Sequence, residues 1–200
     1  MRTVRSPVIL LTGPSGLGKT TVCTKVIERA RARGLTVGGV VTENLATRAG
    51  VSAQYVTDIV GGERRRLATA TRDREPMRAR PEGQGRPVSP AEFAACWTFD
   101  AEGVAFGNAV LAATSAKLPD LLVVDQIGPL EFWCGGGFSA VFDVVSRGGQ
   151  AALLIVVHPL TLNQAKECFP EPLHVLEVAP ETRATQADAV LELIDAAVRG

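Results

Sequence analysis

Apolar positions along the chain follow two rhythms: short unbroken runs, and stripes that recur every three to four residues. Val8-Ile9-Leu10-Leu11-Thr12, bounded by Pro7 and Gly13, is a run of the first kind and predicts a buried parallel strand. From Lys19 to Arg33 the rhythm is helical, with Val22, Val26, Ile27 and Ala30 on one face. Arg29, Arg31 and Arg33 gather at its end, where they suit the helix dipole, and Gly34 is a stop. Leu35 to Thr42 predicts a second strand. The resulting strand–loop–helix–strand unit requires a right-handed crossover.

Farther on, Ala53 to Ile59 alternates weakly, and Gly61-Gly62 can turn it back through Arg64 to Ala68, which predicts an antiparallel hairpin or edge pair. Thr71 to Pro90 carries four prolines and two glycines with almost no apolar periodicity, the pattern of a long loop or lid. Helices are expected over Glu102 to Lys117, Phe138 to Ser146 and Thr161 to Cys168. Strands are expected at Leu121 to Asp125, Ala151 to Val157 and Leu173 to Val178. Thr185 opens a last helix, with Asp188 three residues on as a box-like cap and Ala187, Val190, Leu191, Ile194 and Val198 as its buried stripe. The alternation predicts one α/β domain over residues 1–200: a mostly parallel sheet flanked by helices, with an antiparallel edge hairpin.

Composition narrows the class. At 200 residues and 46% hydrophobic, the chain can bury a real core. Acidic and basic residues number 21 each, so no net charge argues for nucleic acid or an anionic membrane as partner. Cys23, Cys96, Cys134 and Cys168 form no CxxC pair, which argues against zinc and for reduced thiols. No stretch approaches the roughly 20 apolar residues that cross a bilayer. A soluble, cytoplasmic monomer is expected.

The chemistry begins at Gly13-Pro14-Ser15-Gly16-Leu17-Gly18-Lys19-Thr20, which fits G-x-x-x-x-G-K-[ST] in full. Glycines let the backbone approach a phosphate closely. The helix opening at Lys19 turns its free N–H groups and positive dipole end toward that phosphate, with Thr21 in its first turn. Lys19 supplies a charge for β- and γ-phosphates, and Thr20 a hydroxyl for Mg²⁺. Glycine averages about 7% of residues, so the pattern arises by accident in on the order of one such chain in a hundred. Its place between a strand and a helix lowers that further. The expected ligand is ATP or GTP with Mg²⁺. Asp125, a carboxylate after four apolar residues at a strand's carboxyl end, is the expected second magnesium residue.

Asp125 to Phe132 reads DQIGPLEF, and here the chain resembles the small P-loop nucleoside-triphosphatases called the cancer-related nucleoside-triphosphatase family, whose strand ends Asp-Glu-Ile-Gly and continues to a glutamate. Gly38-Gly39-Val40-Val41-Thr42-Glu43 and Val178-Ala179-Pro180-Glu181-Thr182-Arg183 resemble further segments of that family. The resemblance spans Ile9 to about Ala197. It implies hydrolysis of nucleoside triphosphates with loose base selectivity, and a contact from Arg183 to base or ribose. The chain departs from the family at Gln126, where glutamate is usual, at Asn44 and Ala46, and at Ala53-Gln54 in place of a Gly-Phe pair. Glutamine can orient an attacking water but cannot take its proton. Catalysis is therefore expected from Lys19, Gln126 and Glu131, with Glu131 or Glu43 able to compensate for the missing carboxylate.

Other residues carry weaker signals. The arginines between Glu63 and Arg86 can supply a finger to a γ-phosphate or merely solvate a loop, and the segment lacks the aromatic residues that single-stranded nucleic acid stacks on. His158 and His174 read as structural, Trp97 and Trp133 as packing residues, Trp133 beside the site. Two alternatives to hydrolysis stay open. One is a nucleotide-gated switch or assembly factor with a protein partner, and the other is a nucleoside or nucleotide kinase.

Overall fold

A computed structural model of the chain describes residues 6–47, 50–71 and 96–199. Most of the expected lid at 71–90 lies outside the described residues. The described chain forms an eight-stranded sheet in the order β5-β4-β3-β2-β6-β7-β1-β8. The strands are β1 (Val8–Thr12), β2 (Val37–Thr47), β3 (Gly50–Asp58), β4 (Arg64–Ala70), β5 (Trp97–Phe99), β6 (Leu121–Ile127), β7 (Ala152–Val157) and β8 (Leu173–Glu177). The helices are α1 (Lys19–Ala32), α2 (Ala101–Ala116), α3 (Pro129–Trp133), α4 (Ala140–Arg147), α5 (Leu162–Cys168) and α6 (Gln186–Arg199). None is long and apolar enough to cross a membrane.

β2, β6, β7, β1 and β8 run parallel. Their apolar runs are continuous because both faces are covered. The two-residue strand period sorts them. Val8, Leu10, Leu122 and Val124 pack with Leu111 of α2, Val141 of α4 and Phe169. Ile9, Leu11, Leu121 and Val123 pack with Val22 and Val26 of α1 and Val190 and Ile194 of α6. Each such side chain, fully buried, stabilises the fold by roughly 1.5–3 kcal/mol.

The antiparallel portion is larger than an edge hairpin. β3 pairs with both β2 and β4, and β5 completes the edge. The expected turn at Gly61-Gly62 is present, with Gly62 N–H donating to the Asp58 carbonyl at 2.9 Å. The box at the last helix is not formed. The Thr185 hydroxyl donates instead to the Thr182 carbonyl at 3.1 Å, and the Asp188 carboxylate pairs with Arg29 of α1. Val198 falls off the stripe and is exposed.

Two features of this layout matter for chemistry. β7 lies between β1 and β6, so the P-loop strand and the Asp125 strand do not touch. And β6 does not end at Asp125. It continues to Ile127 through a bulge against β7, where three residues of β6 advance as β7 advances two. Gln126 sits in that bulge with φ +83°, a conformation costing a non-glycine residue about 1–3 kcal/mol.

Candidate active site

The segment between β1 and α1 folds as a phosphate-binding loop. Gly13, Gly16 and Gly18 all have positive φ. At Gly13 the need is also steric, since a Cβ would lie 2.4 Å from the Val178 carbonyl oxygen. Leu17 tucks into the α1–α6 side of the core and anchors the loop. Ser15, Gly16 and Thr21 are exposed at its rim, and Pro14 is half-buried. The Lys19 ammonium folds back on the loop, donating to the carbonyls of Gly13 at 2.7 Å and Pro14 at 2.8 Å. Burial lowers its pKa, and the Asp125 and Cys23 side chains oppose that shift.

Asp125 is 1% exposed. Burial raises its carboxyl to about 6, against hydrogen bonds from the Thr20 hydroxyl and Thr42 N–H and the charge of Lys19. The Thr20 hydroxyl also reaches the Thr42 carbonyl at 3.4 Å. Thr42 N–H donates to Asp125 Oδ2 at 3.2 Å, and its hydroxyl to the Asp125 carbonyl at 2.7 Å. The sheet therefore brings Lys19, Thr20 and Asp125 together. Thr42 bridges them, a role its place in a strand-end Thr-Glu gives no hint of.

Both carboxylate oxygens of Glu131 are held by backbone N–H groups. Oε2 accepts from Gly128 N–H at 2.7 Å and Oε1 from Phe138 N–H at 2.8 Å. The carboxylate clasps the loop after β6 to the start of the Phe138 segment. Burial raises it to about 7, against those two hydrogen bonds. Glu43 is exposed and ion-paired with Arg64 at 3.3 Å. Gln126 is half-exposed at the bulge. Arg183 is exposed on the turn after β8, its N–H bonded to the Ala179 carbonyl. That turn is tied to the P-loop strand by Val178 N–H donating to the Thr12 carbonyl at 2.8 Å.

His158 caps the short turn Pro159–Thr161, its Nδ1 accepting from Leu160 N–H at 3.2 Å. It leaves β7 between the two halves of the site, and its N–H donates to the Ile127 carbonyl at 2.9 Å. Burial, then the charge of Lys19, lowers its pKa to about 4. His174, by contrast, lies half-buried on β8.

The chain is similar to known proteins in sequence and in fold. The sequence profile of the NTPase family matches residues 8–191. The nucleoside-triphosphatase THEP1 of Pyrococcus abyssi is 31% identical over 150 residues, 74% of this chain and 72% of that one. THEP1 of Methanothermobacter thermautotrophicus is 28% identical over 187 residues, 93% of this chain and 95% of that one. Among solved structures, a human cancer-related nucleoside triphosphatase superposes with a TM-score of 0.68 at 21% identity, covering 96% of this chain and 98% of that chain. THEP1 from Aquifex aeolicus superposes with a TM-score of 0.64 at 16% identity, covering 94% and 98%. The chain belongs to the NTPase family and has the P-loop nucleoside-triphosphatase fold.

Proposed function

We propose that the protein is a cytoplasmic, monomeric, Mg²⁺-dependent nucleoside-triphosphatase that converts ATP or GTP to the diphosphate and phosphate with loose base selectivity. The observation that carries this reading is the meeting of Thr20 and buried Asp125 beneath the P-loop lysine. A hydroxyl and a carboxylate are hard oxygen donors of the kind Mg²⁺ takes, with phosphate oxygens and water completing the shell. Among the described residues no cluster of three or more His, Cys, Asp or Glu competes as a metal site. Thr20 and Asp125 would hold the ion, which when bound neutralises charge on the β- and γ-phosphate oxygens.

The chain's own residues do the rest. Gly13 and residues Ser15 to Thr21 present N–H groups to the phosphates, and Pro14, which has no N–H, shapes the loop between them. Lys19 exchanges the Gly13 and Pro14 carbonyls for phosphate oxygens. Gln126, held outward by the bulge, orients the attacking water through its amide. Glu131 acts one step back, because both of its oxygens are engaged in fixing the loop that follows the Gln126 bulge. Arg183 lies on the turn from which base or ribose contacts would come.

Two measurements test this reading. Mg²⁺ should tighten binding of a non-hydrolysable ATP analogue to the wild type and have no such effect on Asp125→Ala. Equal Mg²⁺ dependence in both would remove Asp125 from the metal site. Turnover of ATP, GTP, CTP and UTP should agree within about tenfold, the span of ~1.4 kcal/mol in transition-state binding. A second reading, a nucleotide-gated switch with a protein partner, is favoured by Gln126 standing where a carboxylate would accept the proton. It predicts tight binding with phosphate release only when the partner is present.

A further inference from the structure

We infer that the cleft at the amino ends of β6 and β7 is a second small-molecule site, and that its ligand is a free α-amino acid with an apolar side chain. This goes beyond the nucleoside-triphosphatase reading and does not depend on it.

The connections that enter β6 and β7 build the cleft. Its volume is about 350 Å³, and Ser115, Ala116, Leu118, Arg147, Gly148 and Gly149 line it. Small-molecule pockets span about 300–1,000 Å³, so this one suits a ligand of amino-acid size. The P-loop site lies at the other end of the strands. β6 begins at Leu121, just after the cleft's Leu118, and Asp125 stands about 13 Å farther along at roughly 3.3 Å per residue.

Three features set the chemistry. Behind Ser115 stands Gln150, 2% exposed, its Nε2 donating to Ser115 Oγ at 3.3 Å. Its Oε1 is buried and, among the described residues, has no hydrogen-bond partner. A buried acceptor left unpaired calls for a donor. Next, α2 and α4 both end at the cleft, at Ala116 and Arg147. Their carbonyl ends carry partial negative charge, which favours an ammonium and disfavours a phosphate. Last, Arg147 is exposed at the rim and takes part in none of the ion pairs among the described residues. A guanidinium so placed can hold a carboxylate by two hydrogen bonds.

Leu118 supplies the apolar wall with Ala116. Its φ is +49° and it is 55% exposed. Strained backbone of this kind gathers at ligand clamps. A Cβ on Gly149 would lie 2.8 Å from Leu118 Cδ2, so the leucine reaches across from one connection to the other. An apolar amino acid meets all of these features together. Its ammonium faces Gln150 Oε1 and the helix ends, its carboxylate meets Arg147, and its side chain lies on Leu118 and Ala116. A nucleotide does not, because its phosphates would face two helix carboxyl ends with one arginine to offset them.

Backbone amide NMR shifts of the full chain test this, with L-leucine, L-valine, L-methionine and L-phenylalanine as probes. The N-acetyl derivatives, which lack the ammonium, and AMP serve as controls. At least one of the four should shift Leu118, Gly148 and Gly149 saturably, with a Kd below about 1 mM. Its N-acetyl derivative and AMP should not. R147A should weaken that amino acid about tenfold or more. Lys19→Ala should bind it as the wild type does, whatever becomes of nucleotide turnover. No saturable shift with any of the four would overturn the inference and leave Gln150 Oε1 to a buried water. Equal binding of the N-acetyl derivative, equal affinity in R147A, tighter binding of AMP to the same amides, or loss of binding in Lys19→Ala would also overturn it.

Discussion

Thr42 binds Asp125 twice, its N–H to the carboxylate at 3.2 Å and its hydroxyl to the main-chain carbonyl at 2.7 Å. The two residues lie on neighbouring parallel strands and are both buried. The pair fixes one carboxylate oxygen of Asp125. The hydroxyl of Thr20, on α1, reaches toward both residues.

Thr42→Val tests that support. It keeps side-chain shape and the backbone donor but leaves the buried Asp125 carbonyl without its hydroxyl partner. The expected loss is about 1–2 kcal/mol in stability, with a higher Mg²⁺ concentration for half-maximal turnover. Thr42→Ser should restore both. Thermal melts and Mg²⁺ titrations of the three proteins check this. A valine variant with unaltered Mg²⁺ dependence would show that Thr42 does not position Asp125.

Glu131 gives a pH dependence. Its carboxyl titrates at about 7 in the folded protein against an ordinary 4.5, because burial outweighs its two backbone hydrogen bonds. The folded state thus holds this proton more tightly than the unfolded chain does. The group's contribution to stability is full below pH ~4.5 and is lost as pH rises through about 7, at up to about 1 kcal/mol per pH unit. Glu131→Gln cannot titrate. The decline in Tm between pH 4.5 and 7 should be shallower in the variant than in the wild type. Parallel curves would mean that Glu131 does not titrate in that range.

Gln126 follows the proposed magnesium residue Asp125 in the bulge of β6. If catalysis lacks only a proton acceptor there, Gln126→Glu should raise turnover about 10²-fold without changing nucleotide affinity. Single-turnover phosphate release and analogue binding separate the two quantities. No gain would show that orienting the water is all the site asks of this position.

Parts of this site were legible in the chain because they are local. The P-loop repeats its chemistry within eight consecutive residues, and Asp125 follows four apolar residues at a strand end. The core stripes of α1 and α6 were legible for the same reason, as periodicity within one element. Thr42 was not. Thr42 enters through β2 pairing with β6, and strand order is not written in any one segment. The bulge at Gln126 was also hidden, since β6 was expected to stop at the charge of Asp125. Glu131 shows the remaining difficulty. Spacing placed a carboxylate near the site but could not reveal that two backbone N–H groups would occupy it.

The central claim is hydrolysis at this P-loop. Phosphate release from purified wild type with ATP and Mg²⁺, beside Lys19→Ala, tests it most directly. The account predicts steady release from the wild type and loss of it in the variant. Release unchanged in Lys19→Ala, or no release from a wild type that binds nucleotide, would contradict it.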